Sequence, residues 1–178
     1  WGNKYGLQLG MKYYDAFKVD GLTLQGEANY VRPYTYSHIN STQAFGHWNE
    51  PMAHPSGANL WEGVFLASYF SNRWYFEFKS VYREQGKDAG GTDNNGGNIF
   101  APNSTRNVEY GNEVGQGIRY TTSHTRLFAS WLLSSRTNLR AEASMSWWSQ
   151  DQGGTYKPEL FMANIGIRIG LFNQYGDF

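Results

Sequence analysis

Between Leu60 and Tyr82 the run LWEGVFLASYFSNRWYFEFKSVY alternates with a strict period of two. One face of its first half carries Trp61, Gly63, Phe65, Ala67 and Tyr69. Beyond Ser71-Asn72-Arg73 the same face of the second half carries Trp74, Phe76, Phe78, Ser80 and Tyr82. The opposite face of the second half is Tyr75, Glu77, Lys79, Val81 and Arg83, three of them charged. Successive side chains of a strand point to opposite faces, so alternation of this length dictates β-strands. A turn this short joins them as an antiparallel hairpin.

In both strands the apolar face begins and ends with Trp or Tyr, eight residues apart, with apolar or small residues between. At about 3.3 Å per residue and a tilt near ~40°, that spacing climbs roughly 20 Å, close to the apolar band of a transmembrane β-barrel. Such barrels carry an aromatic girdle at each rim, where a ring with one apolar and one hydrogen-bonding end is favoured. The hairpin therefore reads as a piece of outer-membrane barrel wall.

Composition agrees. Aromatic residues make up 17% of the 178-residue chain, and the remaining apolar content is diluted by 21 glycines and many polar residues. A negative mean hydropathy is normal for barrel strands, which are apolar on one face only. No apolar run approaches the ~18 residues of a membrane helix. A formal charge of zero with scattered basic residues leaves no footprint for nucleic acid. The absence of cysteine fits an exported protein without disulfides.

Five further strands share the pattern. The first, Lys4 to Tyr14, places Tyr5, Leu7, Leu9, Met11 and Tyr13 on one face and Lys12 on the other; the second, Leu22 to Tyr30, places Glu27 opposite Tyr30. The fifth runs from Tyr120 to Leu133, the sixth from Asn138 to Trp148 and the seventh from Glu159 to Leu171. Connections after the first, third and fifth strands are short. Longer loops follow the second, fourth and sixth, at about 37–59, 85–117 and 150–158. That asymmetry belongs to bacterial outer-membrane barrels, whose short turns are periplasmic. In this frame Tyr5, Tyr30, Trp61, Tyr82 and Trp147 form the outer girdle, and Tyr13, Tyr69, Trp74 and Trp131 the inner one. The Gly- and Asn-rich stretch of the second long loop reads as exposed loop.

A soluble β-sandwich or lipocalin-like barrel would also alternate. It does not require aromatic residues at both ends of each apolar face, nor charges at midheight on the other. The expected fold is thus all-β, an antiparallel up-and-down transmembrane β-barrel, with residues 1–178 as its C-terminal part. Bacterial barrels have even strand numbers, so about seven strands imply more before Trp1. Unpaired sheet edges in lipid would cost several kcal/mol per group.

The polar face collects Lys12, Glu27, Glu62, Glu77, Lys79, Arg83, Arg126, Arg140, Glu142 and Arg168. These are lumen-lining candidates, either as a selectivity lining or as a ladder of ion pairs, with Glu77/Lys79 and Arg140/Glu142 able to pair across strands. In the first long loop His47, Trp48, Glu50 and His54 stand out. The spacing His47-x-x-Glu50-x-x-x-His54 lies in a Pro-interrupted loop and does not match the helical zinc motif. Asp88 and Asp93 among Asn and Gly offer oxygen ligands to Ca²⁺, but turns already account for that composition. No arrangement of Ser, His and Asp suggests catalysis, and no cofactor is implied. Tyr34, Tyr36, Phe45, Trp48 and Tyr156, in or beside outer loops, offer their ring faces either to sugars or to one another as the loops pack.

The runs YTYSHIN, Tyr34 to Asn40, and HWNEPMAHPSGANLWE, His47 to Glu62, resemble outer-membrane barrels of Bacteroidota. The family is that of the RemB-type gliding-motility proteins and, more distantly, the Wzi-type capsule-assembly proteins. Tyr110-Gly-Asn, Gly115-Gln-Gly117, Thr137-Asn-Leu139 and the ending Asn173-Gln-Tyr175-Gly-Asp-Phe178 echo it. One departure is that Phe178 has the opposite parity to Ile165, Ile167, Ile169 and Leu171. The resemblance implies a non-enzymatic role at the cell surface in motility, secretion or surface polysaccharide. Its implied partners are the outer-membrane bilayer, polysaccharide and other outer-membrane proteins. The alternatives are a passive diffusion channel and a structural subunit of a larger complex.

Overall fold

The computed structural model describes residues 2–170. In chain order its strands are β1 (Gly6–Tyr14), β2 (Leu22–Val31), β3 (Gly46–His47), β4 (Glu50–Pro51), β5 (Leu60–Ser71), β6 (Trp74–Lys87), β7 (Ile118–Ser134), β8 (Leu139–Gln152) and β9 (Glu159–Arg168). β3 and β4 pair only with each other. The other seven form one antiparallel sheet in which each strand lies beside its neighbours in sequence. Among the described residues β1 and β9 are its two edges, and the sheet does not close on itself. No described helix is long and apolar enough to cross a membrane. The expectations for Leu171 and for the ending through Phe178 lie outside the described residues.

Every expected strand is present. The differences lie at strand ends: β1 starts at Gly6 instead of Lys4 and β9 stops at Arg168. In turn β6 continues to Lys87, β7 starts at Ile118 and β8 continues to Gln152, because these three pair with one another beyond the expected loop boundaries. One end of the sheet carries the short links 15–21, 72–73 and 135–138; the other carries 32–59, 88–117 and 153–158. The tight links use residues that accept a positive φ, with Asn72 at 52° and Asn138 at 48°. Gly21, at φ 80°, also accepts a bond from the Phe70 amide at 3.0 Å, and a Cβ there would stand 2.1 Å from the Phe70 carbonyl. Only glycine fits that approach.

Register carries one face across all seven strands. Leu7 pairs with Tyr30, Tyr30 with Trp61, Phe65 with Ser80, Trp74 with Trp131, Thr125 with Trp147 and Trp147 with Phe161. Between its aromatic ends this face bears no charged side chain on any strand. It is also the open face: Leu9 is 77% exposed, Met145 56% and Ile165 92%. The opposite face holds the charges and is the more sheltered one, with the Glu62 and Glu142 side chains only 13% and 19% exposed. A water-soluble sheet hides its apolar face; this one is inverted.

Aromatic rings cluster at both ends of this face. Tyr5 stacks on Tyr30 at 6.1 Å, and the Trp61 and Tyr82 rings lie 5.2 Å apart. Glu84, one step beyond Tyr82 on the same face, accepts hydrogen bonds from the Trp61 indole (3.1 Å) and the Tyr82 hydroxyl (3.0 Å). Arg119 of β7 approaches the same carboxylate at 4.0 Å. The apolar band thus ends in an ordered change from ring to charge. At the other end Trp74 stacks on both Phe76 and Trp131.

The buried apolar core is small and lies at the long-loop end. Val31, Ala58, Leu60 and Ile99 form it, with Tyr36 and Phe100 packed against them. Val31 and Leu60 belong to strands; the remainder come from the two long loops. The core of this protein is where its loops fold onto the sheet.

Candidate functional site

The long loops build a structured cap, which corrects the expectation that 85–117 is simply exposed. Asn94, Ile99 and Asn103 within it are buried. Two asparagines organise the cap. Asn59, fully buried at the end of the Ala53–Asn59 run, adopts a left-handed backbone at φ 59°. Its Nδ2 donates to the carbonyls of Gly86 (3.0 Å), Asn95 (3.2 Å) and Gln116 (2.9 Å), and its Oδ1 accepts from the Gly115 amide (2.8 Å). One side chain therefore ties the first long loop, β6 and the second long loop together. Asn94 does the same within the second loop, donating to the Pro102 carbonyl (3.0 Å) and Thr105 Oγ1 (2.9 Å). The Asn94 carbonyl accepts from the buried Tyr34 hydroxyl at 2.7 Å. Burial pushes the Tyr34 phenol above its ordinary value. Buried amides of this kind stand only when nearly all their hydrogen-bonding capacity is used.

Below the cap, the segment 54–58 is clamped to the polar face of β5 and β6. His54 Nδ1 accepts the Ser56 amide (3.2 Å), which leaves Nε2 to donate to Glu62 Oε1 (3.2 Å). Arg83, directly opposite Glu62 in register, lies 3.7 Å from its other oxygen and also bonds Ser56 Oγ. Gln85 donates to the carbonyls of Ser56 (2.5 Å) and Ala58 (3.2 Å). Two of the lumen-lining candidates, Glu62 and Arg83, therefore hold a loop instead of facing an open passage.

The structure separates the loop histidines. His47 and Glu50 pair across the β3–β4 hairpin, whose tip residues Trp48 and Asn49 have φ of 50° and 62°. Trp48 is 88% exposed there, with His47 edge-on at 5.9 Å. His54, grouped with them from spacing alone, is a sheltered partner of Glu62 instead of a surface residue. Among the described residues no three His, Asp or Glu groups converge as metal ligands. The oxygens of Asp88 and Asp93 are engaged by the loop itself. Asp88 accepts the Asn95 amide (2.5 Å); Asp93 accepts the Ala89 amide (2.8 Å) and the amide side chains of Asn95 and Asn107. These bonds, the Ala89 amide foremost, hold the Asp93 carboxyl below the usual carboxylate range.

On the rest of the polar face the ion-pair ladder is partial. Glu142 pairs with a neighbour on the adjacent strand as expected, Arg168 at 2.8 Å. Glu77 accepts the Tyr75 hydroxyl (2.8 Å) and Glu27 the Gln25 amide (2.6 Å). Lys12 lies over the Tyr14 ring. Among the described residues Glu77 and Lys79 form no ion pair; Lys79 instead stands directly opposite Arg126. Sequence reading missed Asn59, Asn94, Tyr34 and Gln85 as cap residues. Tyr34, expected beside the outer loops with its ring open to sugars, is instead fully buried.

No protein-family model, curated protein or solved structure matches the chain.

Proposed function

We propose that this chain is part of a non-enzymatic outer-membrane β-barrel with a cell-surface role. The observation that carries the reading is the inverted polarity of the sheet, whose uncharged apolar face is open and whose charged face is sheltered. Lipid is the solvent that makes such a surface stable, and closure by pairing of β1 and β9 with further strands removes the exposed edges. The band between the Trp61/Tyr82 row and the Trp74/Trp131 row fits the hydrocarbon layer.

The cap gives this reading its direction. Its loops are held by buried hydrogen bonds and present Trp48 at the tip of a tight hairpin, a form suited to engaging something outside the cell. The resemblance of the Ala53–Asn59 region to gliding-motility and capsule-assembly barrels supports a role with surface polysaccharide or with the motility and secretion apparatus. Passive diffusion is the second reading, favoured by the unpaired cations at midheight of the polar face.

Gel migration with and without boiling tests the barrel. Heat-modifiable mobility is expected, and its absence together with solubility in plain buffer sinks the proposal. Planar-bilayer conductance separates the two roles, since a steady open pore favours diffusion and a closed lumen the surface role.

A further inference from the structure

We infer that the polar face of β6–β9 is a binding track for anions that carry carboxylate or phosphate groups. The inference rests on the lumen reading above. The sequence alone shows charges of both signs; register shows that they are segregated. On β6–β9 the polar face holds Lys79, Arg83, Lys87, Arg126, Arg140 and Arg168 against the two carboxylates Glu77 and Glu142. On β1, β2 and β5 the balance is reversed, Lys12 against Glu27 and Glu62.

Within the basic half the cations stand at successive levels. Arg140 and Arg168 are directly opposite near the short-turn end, with Glu142 bound to Arg168. Lys79 and Arg126 are directly opposite at midheight, and among the described residues neither forms an ion pair. Like charges placed opposite across two strands cost free energy, and a mobile anion between them relieves it. Four and eight residues up β6 from Lys79, on the same face, come Arg83 and Lys87. Both line a cleft of about 480 Å³ under the cap, with Gln85, Asp88, Asn98 and Phe100. Arg83 is held there by Glu62 and Ser56, so Lys87 is the cleft cation that has no carboxylate partner among the described residues. Asp88 is turned to a backbone amide, and the Lys87 ammonium sits 4.5 Å over the Tyr120 ring. The cleft has the size of a small-ligand site. Guanidinium groups bind carboxylate and phosphate through paired N–H bonds, and ammonium groups add charge. The track thus leads from the cleft to midheight, and its chemistry suits either an acidic polysaccharide or a small anionic solute.

The test is calorimetric titration of the folded full chain in detergent with polygalacturonate, inorganic phosphate and neutral dextran, each at low and high salt. Binding of polygalacturonate, phosphate or both is expected, weakening as salt screens the charges. The two anions distinguish the polymer from the small solute. The double variant Lys79→Gln/Arg126→Gln is expected to lose at least tenfold in affinity, while Glu27→Gln on the acidic half binds as before. Dextran binding as tightly as polygalacturonate, unchanged affinity in the double variant, or no binding of either anion overturns the track. Heat-modifiable mobility is recorded on the same samples. A mobility shift without anion binding sinks the track alone; no shift in a chain that is also soluble in plain buffer sinks the lumen reading and the track with it.

Discussion

Trp74 and Trp131 stand directly opposite each other on β6 and β7, with ring centroids 5.4 Å apart and planes within 6° of parallel. Each is about two-fifths exposed on the uncharged face, where a parallel pair of indoles has no core to bury itself in. A stacked pair contributes about 0.5–1.5 kcal/mol beyond area burial. A double-mutant cycle with Trp74→Leu and Trp131→Leu, read by urea unfolding from lipid vesicles, should recover a coupling of about that size. Additive single effects would mean that the stack contributes nothing.

Leu127 lies at midheight on the same face and is 53% exposed. In water, Leu127→Arg at so open a position would change stability by no more than about 0.5 kcal/mol. In a bilayer it should cost about 2–4 kcal/mol. Ser144→Arg, on the neighbouring strand but the other face, serves as the control and should remain within about 0.5 kcal/mol. Equal effects of the two substitutions in vesicles would contradict a lipid-facing surface.

Removing the Asn59 side chain takes a donor from the carbonyls of Gly86, Gln116 and Asn95, the last of which keeps the Gln116 side-chain amide, and takes the acceptor from the Gly115 amide. Asn59→Ala should therefore destabilise the cap by about 1–3 kcal/mol for each buried group left unsatisfied, tempered by any water that enters. Limited proteolysis within 88–117 is the measurement. Faster cleavage with unaltered heat-modifiable mobility is expected, since the strands do not depend on this residue for their pairing.

Asp93 is an exposed carboxylate held below its ordinary value by hydrogen bonds to its charged form. A depressed folded pKa stabilises the loop at pH above the unfolded value, and that contribution fades as pH falls through the folded one. The loop should be intact at pH 5 and loosen only below about pH 4, where carboxylates protonate. Chemical shifts of the Ala89 amide followed through an acid titration should move below that pH, and Asp93→Asn should remove the transition. A transition centred above pH 5 would refute the assignment.

The sheet was legible in the sequence because a face without charges and a face with them differ at every second residue. A one-residue slip would put Glu77 and Lys79 among Phe65 and Leu127, so parity pins register as well as strand identity. The strand ends were less legible. Gln85, Gly86 and Lys87 belong to β6 because Tyr120, Arg119 and Ile118 are there to pair with them, and nothing in the local run announces it. The cap was not legible at all. Asn, Gly, Ser and Pro advertise turns, and whether a set of turns packs into a buried network depends on long-range bonds such as Tyr34 to Asn94. The same holds for the site. Charged residues on the polar face were found one by one, but their segregation emerged only when β6 and β7 set Lys79 opposite Arg126.

The overhang of β6, β7 and β8 has a consequence for what can touch this protein. With Tyr82 and Glu84 at the headgroup level of a bilayer, β6 runs on for five residues to Lys87. Those residues lift the end of the sheet by roughly 12 Å for a tilted strand. In the proposed barrel the cap would then stand on a collar above the lipid surface, clear of the crowded headgroups. A rigid partner or a long polymer can reach Trp48 and the cleft below it from the side as well as from above.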